Sequence, residues 1–506
     1  MIDTRRRLQF NQHLHLTDPD QLKQPPHFRR RLRRTFVWIV LVLMAWSLWG
    51  YFFPPAPRLG PITALPAHAG PVLVLAPHSD DESLAAGGLL QQFQARGENP
   101  RVVLVTGGDA FRLAAEAHYR RVGVHAPEML AFGRTRLSES RSALVALGLP
   151  PDHLTFLGYP DQGLNRLWQD CWSESNPCSS PTTGVSRVPY AEARTPGSPF
   201  AGHALVAELE AIMREVRPGV IVYPHPNEAH VDHWGLSVLV TAALEELRRT
   251  DPTWQPPAEW LYLVHRGDWP APKGFRPQDA LLPPAKMADG MTQWHTLALT
   301  PEQVQHKGEA IQAYHTQYTI LRRYMQSFVR KNELFGTMDR VVLTAAPPHP
   351  VPAALLLPPW PDQSWQQVIS DPRADTVARE MERGADLLGV YAARQGDTLY
   401  LAAHMASSPW PPVEIHFYAR GFKTGEGWGQ MVHAVVPARG AIRIEPAPAG
   451  NSAWQRTADI QGSWIRFSIP LEALGARDSI MVAVESHVGP ALIDRSAWRA
   501  ISLDGR

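Results

Sequence analysis

Strand-like apolar runs alternate with helix-like ones from residue 72 to residue 342 and predict an α/β fold on a mostly parallel sheet. After residue 361 the pattern changes to short alternating strands, which predict a C-terminal β-sandwich-like domain. The uncharged run 36–53 adds a third expectation, an N-terminal transmembrane helix. At 506 residues the chain is too long for one ordinary core, and 44% hydrophobic with 19% charged residues marks folded rather than disordered protein.

The first 35 residues carry nine Lys/Arg against three Asp, which reads as a basic cytoplasmic tail. The remainder holds 40 basic and 45 acidic residues, so the folded part is mildly acidic and shows no nucleic-acid footprint. The run 36–53 lacks the polar stripe of a buried soluble helix, and Trp46, Trp49 and Tyr51 cluster at its far end like an interfacial belt. Arginines on its near side predict a single-pass anchor in a bacterial-type inner membrane, N-terminus inside, with the folded part after residue 54 periplasmic or extracellular. A cleaved signal peptide is the alternative, with Ala67-His68-Ala69 as the cleavage triplet; that triplet lies far beyond the apolar run. Six prolines make 54–71 a stiff spacer.

Within the domain expected at 72–344, strands are predicted at 72–77, 101–106, 154–158, 220–224 and 260–265. Helices are predicted at 82–94, 137–147, 202–215, 234–247 and 301–314. The segment 161–199 has no clear period and reads as a functional loop. It contains both cysteines, Cys171 and Cys178. An oxidising compartment favours a disulfide between them, and two free thiols are the alternative. A Pro-rich linker at 345–361 leads to the β-rich accessory domain 362–506. Trp410, Trp428, Trp454 and Trp464 fall within its pattern. They would suit stacking on sugar rings or, equally, a core.

Two clusters carry the chemistry. Ala76-Pro77-His78-Ser79-Asp80-Asp81-Glu82 follows the buried-type run Val72-Leu73-Val74-Leu75, and Pro224-His225-Pro226-Asn227-Glu228-Ala229-His230-Val231-Asp232-His233 follows Val220-Ile221-Val222-Tyr223. In an open α/β sheet, ligands bind outside the carboxyl ends of the strands. Imidazole and carboxylate at two such ends predict a metal site, with a spare carboxylate available as a base. Gly107-Gly108-Asp109 is too short to read as nucleotide binding. His225 would line the pocket or serve the fold, and Pro77, Glu82 and the Gly87-Gly88 pair would shape the loop and helix packing.

These residues resemble the PIG-L/LmbE-like family of zinc-dependent N-acetylglucosaminyl deacetylases over about 70–342. His78-Ser79-Asp80-Asp81-Glu82 stands where that family has His-Pro-Asp-Asp-Glu, and His230-Val231-Asp232-His233 where it has His-x-Asp-His. Arg136-Leu137-Ser138-Glu139 and Leu157-Gly158-Tyr159-Pro160-Asp161 are similar to two further signatures. Ser79 replaces the usual Pro, and Glu228 stands where related sequences often carry Asp.

The resemblance implies a Rossmann-like sheet holding Zn2+, or another divalent metal, on His78, Asp81 and His233, with a position left open for water. It implies Asp80 as general base, for which a helix N-cap is the bland alternative. It implies His230 as the group that stabilises the oxyanion or protonates the leaving amine, with Asp232 holding the His230 tautomer. Arg136 and Asp161 would bind substrate. The expected activity is membrane-anchored deacetylation of an amino sugar in a glycan or glycolipid. A metal-dependent amide or ester hydrolase of other specificity, and a catalytically idle glycan-binding membrane protein, remain the other readings.

Overall fold

The computed structural model describes Trp38 and residues 63–64, 66–68, 70–267, 269–287, 290–344, 365–372, 384–445 and 458–504. The chain divides into compact units 1–58 and 59–506, and every described residue except Trp38 belongs to the second.

Eight strands form the first sheet: β1 (Thr63–Ala64), β2 (Val72–Ala76), β3 (Arg101–Thr106), β4 (Leu154–Tyr159), β5 (Val220–Pro224), β6 (Ala258–Tyr262), β7 (Thr292–Ala298) and β8 (Asn332–Met338). Their spatial order is β1-β7-β8-β6-β5-β2-β3-β4. The five strands from β6 to β4 pair in parallel, as their continuous apolar runs require when both faces are covered. The antiparallel β7–β8 pair closes the β6 side, an addition that the sequence pattern did not disclose.

Among the described residues, eight α-helices accompany the sheet: α1 (Asp81–Ala95), α2 (Arg112–Tyr119), α3 (Ala126–Ala146), α4 (Leu164–Gln169), α5 (Gly202–Val216), α6 (Val231–Thr250), α7 (Pro301–Ala313) and α8 (His315–Met325). The helix expected at 137–147 starts earlier, at Ala126, because Pro127 sits in its first turn and Glu128 reaches back to the His125 backbone N–H at 3.0 Å. Cys171 and Cys178 form a disulfide in the loop beyond α4.

The chain steps outward from β2 to β3 and β4, then returns to place β5 on the other side of β2. The strand order therefore reverses between β2 and β5, the crevice where open α/β sheets hold ligands.

The remaining strands are β9 (Val341–Val342), β10 (Gln366–Ser370), β11 (Leu387–Gln395), β12 (Thr398–Met405), β13 (Val413–Lys423), β14 (Gly427–Trp428), β15 (Val432–Pro437), β16 (Arg443–Glu445), β17 (Ala458–Gln461), β18 (Trp464–Pro470), β19 (Ser479–Val488), β20 (Ala491–Arg495) and β21 (Arg499–Ser502). Two largely antiparallel sheets result, β10-β11-β12-β18-β17 and β16-β15-β13-β19-β21-β9, with β14 and β20 paired at the side of the second. Inward residues of both sheets form one apolar core that includes Leu401, Phe417, Phe467 and Val484.

This β region is not a loosely tethered appendage. Phe422, Trp428, Met481, Ala483 and Trp498 join the same apolar cluster as Trp168 and Trp234 of the α/β region. Trp234 Nε1 donates to the Ser496 carbonyl at 3.0 Å, and Arg495 Nη2 donates to the Ala229 carbonyl at 2.7 Å. The second contact reaches the segment between β5 and α6 directly.

The membrane anchor is corrected: no helix among the described residues is long and apolar enough to cross a membrane. Of 36–53 only Trp38 is described, helical and 67% exposed. Apolar run length measures the cost of leaving a segment in water and does not by itself establish a spanning helix. The inner-membrane location and the periplasmic or extracellular catalytic domain rested on that span and are withdrawn with it. The basic tail 1–35, most of the spacer and the linker 345–361 lie outside the described residues.

One buried ion pair ties strand β8 and helix α7 to the helix that carries the site. Helix α1 kinks at Ala86, which has non-helical backbone angles. Glu333 of β8 accepts from the N–H groups of Gly88 (2.7 Å) and Leu89 (2.8 Å), while Lys307 Nζ of α7 lies 2.6 Å from the same carboxylate. Both side chains are fully buried. Glu333→Ala should cost about 3–5 kcal/mol, because it leaves the ammonium and two helix donors uncompensated in the core. The loss is measured as a shift of the urea unfolding curve, and a shift within error would show that the kink finds other acceptors.

Candidate metal centre

Strand β2 ends at Ala76, and the following turn delivers His78, Asp80 and Asp81 in succession. Asp80 precedes α1 with φ +116°, a left-handed conformation uncommon for a residue with a Cβ. The turn is held from three sides. Thr106 Oγ1 donates to the Pro77 carbonyl at 2.8 Å, Ser79 Oγ bonds to Ser140 Oγ at 2.7 Å, and Arg136 Nη2 donates to the Ser79 carbonyl at 2.8 Å. Glu82 accepts from the Asp80 N–H at 3.2 Å and from the Tyr314 hydroxyl. The resulting geometry points successive carboxylates in different directions. The Asp80 side chain makes no capping hydrogen bond, so the bland reading of this residue as a helix cap finds no contact to support it.

Asp81 is fully buried beside two imidazoles. Its Oδ2 lies 3.1 Å from His233 Nε2 and 3.4 Å from His78 Nδ1, and it accepts from the His78 N–H at 2.9 Å. His265, just beyond β6, brings Nε2 to 3.9 Å from Asp81 Oδ1. Ligand-type atoms of His78, Asp81, His233 and His265 all lie within 4.8 Å of one another. Asp81 Oδ1 and both ring nitrogens of His233 are buried without a hydrogen-bond partner. Buried polar atoms are rarely left so, and two imidazoles and a carboxylate converging on one point are the donor set of a zinc or similar divalent ion. The residues present therefore fit a metal.

Supporting contacts orient the rings. His233 Nδ1 lies 3.6 Å from Glu228 Oε1, which leaves Nε2 directed at Asp81. Glu228 also accepts from the N–H groups of Val264 and His265, the latter at 3.0 Å, so one carboxylate couples the ends of β5 and β6. His78 Nε2 lies 3.1 Å from Asp232 Oδ2 and 3.4 Å from Asp161 Oδ1. Burial opposes charge on this ring, but Asp161, Asp232 and Asp81 outweigh it and hold the His78 pKa well above its ordinary value. Burial, reinforced by the Asp81 charge, pushes the Asp80 carboxyl well up.

Asp232 departs from its expected role. Its carboxylate accepts from His78 Nε2 and from the N–H groups of Gln162 (2.5 Å) and Leu164 (2.9 Å). Its contact with His230 is instead through its backbone N–H, which donates to His230 Nδ1 at 3.2 Å. The reason is positional: His230 caps α6, so its ring faces the amides of the first turn, while the side chain of Asp232 turns inward. Because Nδ1 accepts, the proton of the neutral ring resides on Nε2. Burial, followed by the His78 charge, lowers the His230 pKa and keeps that ring neutral.

Arg136 and Asp161 are both buried and engaged with protein. Arg136 Nη1 donates to the Gly108 carbonyl at 2.8 Å, and a Cβ at Gly108 would run into the guanidinium. Asp161 Oδ2 accepts from the Ala110 N–H at 2.8 Å. Both side chains thus brace the loops behind His78. His225 is likewise internal, bonded to Thr292 Oγ1 at 2.8 Å and stacked on Trp294.

Sequence reasoning missed His265 and the part played by Glu228. The signal for His265 was the one used for His78, an imidazole just beyond the carboxyl end of a parallel strand with an aspartate, Asp268, three positions on.

Residues 73–244 match the family described as PIG-L, GlcNAc-PI de-N-acetylase. They form a PIG-L family domain. Relatives of this domain include 1D-myo-inositol 2-acetamido-2-deoxy-alpha-D-glucopyranoside deacetylases from Mycobacterium sp. (strain KMS), 29% identical over 37% of this chain and 53% of the relative, and from Saccharomonospora viridis, 32% identical over 33% and 55%. The chain spans about half the length of these relatives. Among solved structures, N,N'-diacetylchitobiose deacetylase from Pyrococcus horikoshii aligns with 15% identity and a TM-score of 0.34, covering 53% of this chain and 84% of that one. The matched PIG-L segment contains His78, Asp80, Asp81, His230, Asp232 and His233; His265 lies beyond it.

Proposed function

We propose that this protein is a zinc-dependent deacetylase that hydrolyses the N-acetyl group of an amino sugar. The observation that carries the reading is the convergence of partnerless Asp81 Oδ1 and His233 nitrogens with His78, beside an Asp80 carboxylate free of any cap. The names of the relatives, deacetylases of a 2-acetamido glucopyranoside, support the substrate class.

His78, Asp81 and His233 would hold the ion, with His265 at the edge of the set. A zinc ion bound there supplies Lewis-acid polarisation of the acetamide carbonyl and acidifies water. Asp80 takes the proton of the attacking water as its oxygen bonds to the carbonyl carbon and returns it later in the reaction. His230, neutral with its proton on Nε2, donates a hydrogen bond to the carbonyl oxygen as charge develops there. The C–N bond then breaks, the amine nitrogen collects the proton from Asp80, the second water proton passes from the new carboxyl to solvent, and acetate and the free amine leave. Asp232, Asp161 and Arg136 act one layer behind by fixing His78 and its loop.

Acetate release from N-acetylglucosamine conjugates and chitooligosaccharides tests the reading. Activity should vanish on chelation and return with zinc. Full activity in chelator would remove the metal from the mechanism, and release from simple acyl amides or esters but from no acetamido sugar would favour the broader hydrolase reading.

A further inference from the structure

Beyond the metal centre lies a cleft of about 820 Å³ between the disulfide-closed loop after α4 and the β13–β15–β19 face of the β region. Arg420 of β13 lines it, only 2% exposed. Its guanidinium is held between two indoles, 4.5 Å from the Trp168 ring centre and 4.6 Å from that of Trp172. Among the described residues no carboxylate pairs with it, and its Nε and Nη1 have no acceptor. Trp428 Nε1, from the same wall, is equally without one. A buried cation with unmet donors is costly, and such a site is the exception in folded proteins.

The other wall groups narrow the ligand. Tyr418 stacks on His433 with ring centres 4.4 Å apart. Glu485 accepts from the Tyr418 hydroxyl at 3.2 Å and from Gln169 at 3.4 Å, and Asp170 and Glu445 also line the cleft. Three carboxylates disfavour an anionic ligand, and the density of polar groups disfavours an apolar one. A hydroxyl-bearing ring both donates and accepts, and it has flat C–H faces that suit aromatic walls.

We propose that this cleft is an accessory subsite for a pyranose unit of the same glycan whose acetamide is cleaved at the metal centre. The proposal rests on the amino-sugar reading above. The two places are physically linked. The N–H groups of Gln162 and Leu164 bind Asp232, which holds His78, and the two turns of α4 then lead directly to Gln169 and Asp170 in the cleft.

Chitohexaose binding to the zinc-loaded Asp80→Asn protein provides the test, because binding is then read without turnover. Hydrogen exchange should slow at 169–176 and 428–433 on binding. Trp172→Ala should weaken affinity by about 10-fold or more, the loss typical of truncating an aromatic anchor, and Trp172→Phe should restore most of it. No slowing in either segment, or an unchanged affinity in Trp172→Ala, overturns the subsite, as does a Trp172→Ala loss that Trp172→Phe fails to restore. A parent protein that releases no acetate from any amino sugar, yet binds chitohexaose through Trp172, would sink the proposed activity and leave the subsite standing as a glycan-binding site.

Discussion

His233→Ala and Asp81→Ala should each purify with little zinc and no measurable deacetylation. Each removes one of the three protein groups that converge where Asp81 Oδ1 and His233 Nε2 are otherwise partnerless. Changes to groups that merely orient a ligand usually cost about 10–100-fold in metal affinity, and loss of a ligand itself should exceed that range. Metal content by elemental analysis and a zinc titration against a chromophoric chelator measure it. His265→Ala is the informative comparison, since its Nε2 stands back at 3.9 Å from Asp81 and its side chain is partly exposed. It should keep its metal. A loss as complete as that of His233→Ala would make the ligand set four residues, and normal zinc in His233→Ala would show that another residue takes its place.

Asp80→Asn should retain zinc and the fold while kcat falls by about 10²–10⁴-fold, the scale of a lost general acid–base group. The fold should survive because Asn is among the residues that tolerate a left-handed backbone, and Asp80 sits at φ +116°. The amide keeps the size and reach of the carboxylate and removes only its basicity. KM should therefore change little, the pattern of a group that acts in the transition state rather than in binding. Parent-like turnover in Asp80→Asn would eliminate it as the base, and loss of zinc in Asp80→Asn with retention in Asp81→Asn would mean that the two neighbours exchange roles.

Much of the site was legible because it depends on short-range order. A buried strand followed by His-x-x-Asp, or by His-x-Asp-His, places those residues at a strand mouth whatever the remainder of the chain does. The run Val72-Leu73-Val74-Leu75 has no choice but to be an interior strand, and the reversal of order between β2 and β5 follows once β3 and β4 lie on one side. The strand pattern after residue 361 was readable for the same reason, since alternation records which face is buried.

What the sequence determined by itself was therefore the α/β domain, its metal-type motifs and the β character of the C-terminal region. Only the tertiary structure decided the partners. That Asp232 serves His78 rather than the ring of His230, that Glu228 joins two strand ends, and that His265 faces Asp81 all depend on approaches between residues about 40 to 180 positions apart. Likewise, the apolar cluster shared by Trp168 and Trp498 packs the β region against the α/β domain, which no local pattern announces. The apolar run 36–53 shows the reverse failure, where local hydropathy invited a membrane span that no described helix supports. Periodicity reports how a segment meets water, whereas side-chain partnership depends on which strands become neighbours, and that is settled only when the whole sheet is assembled.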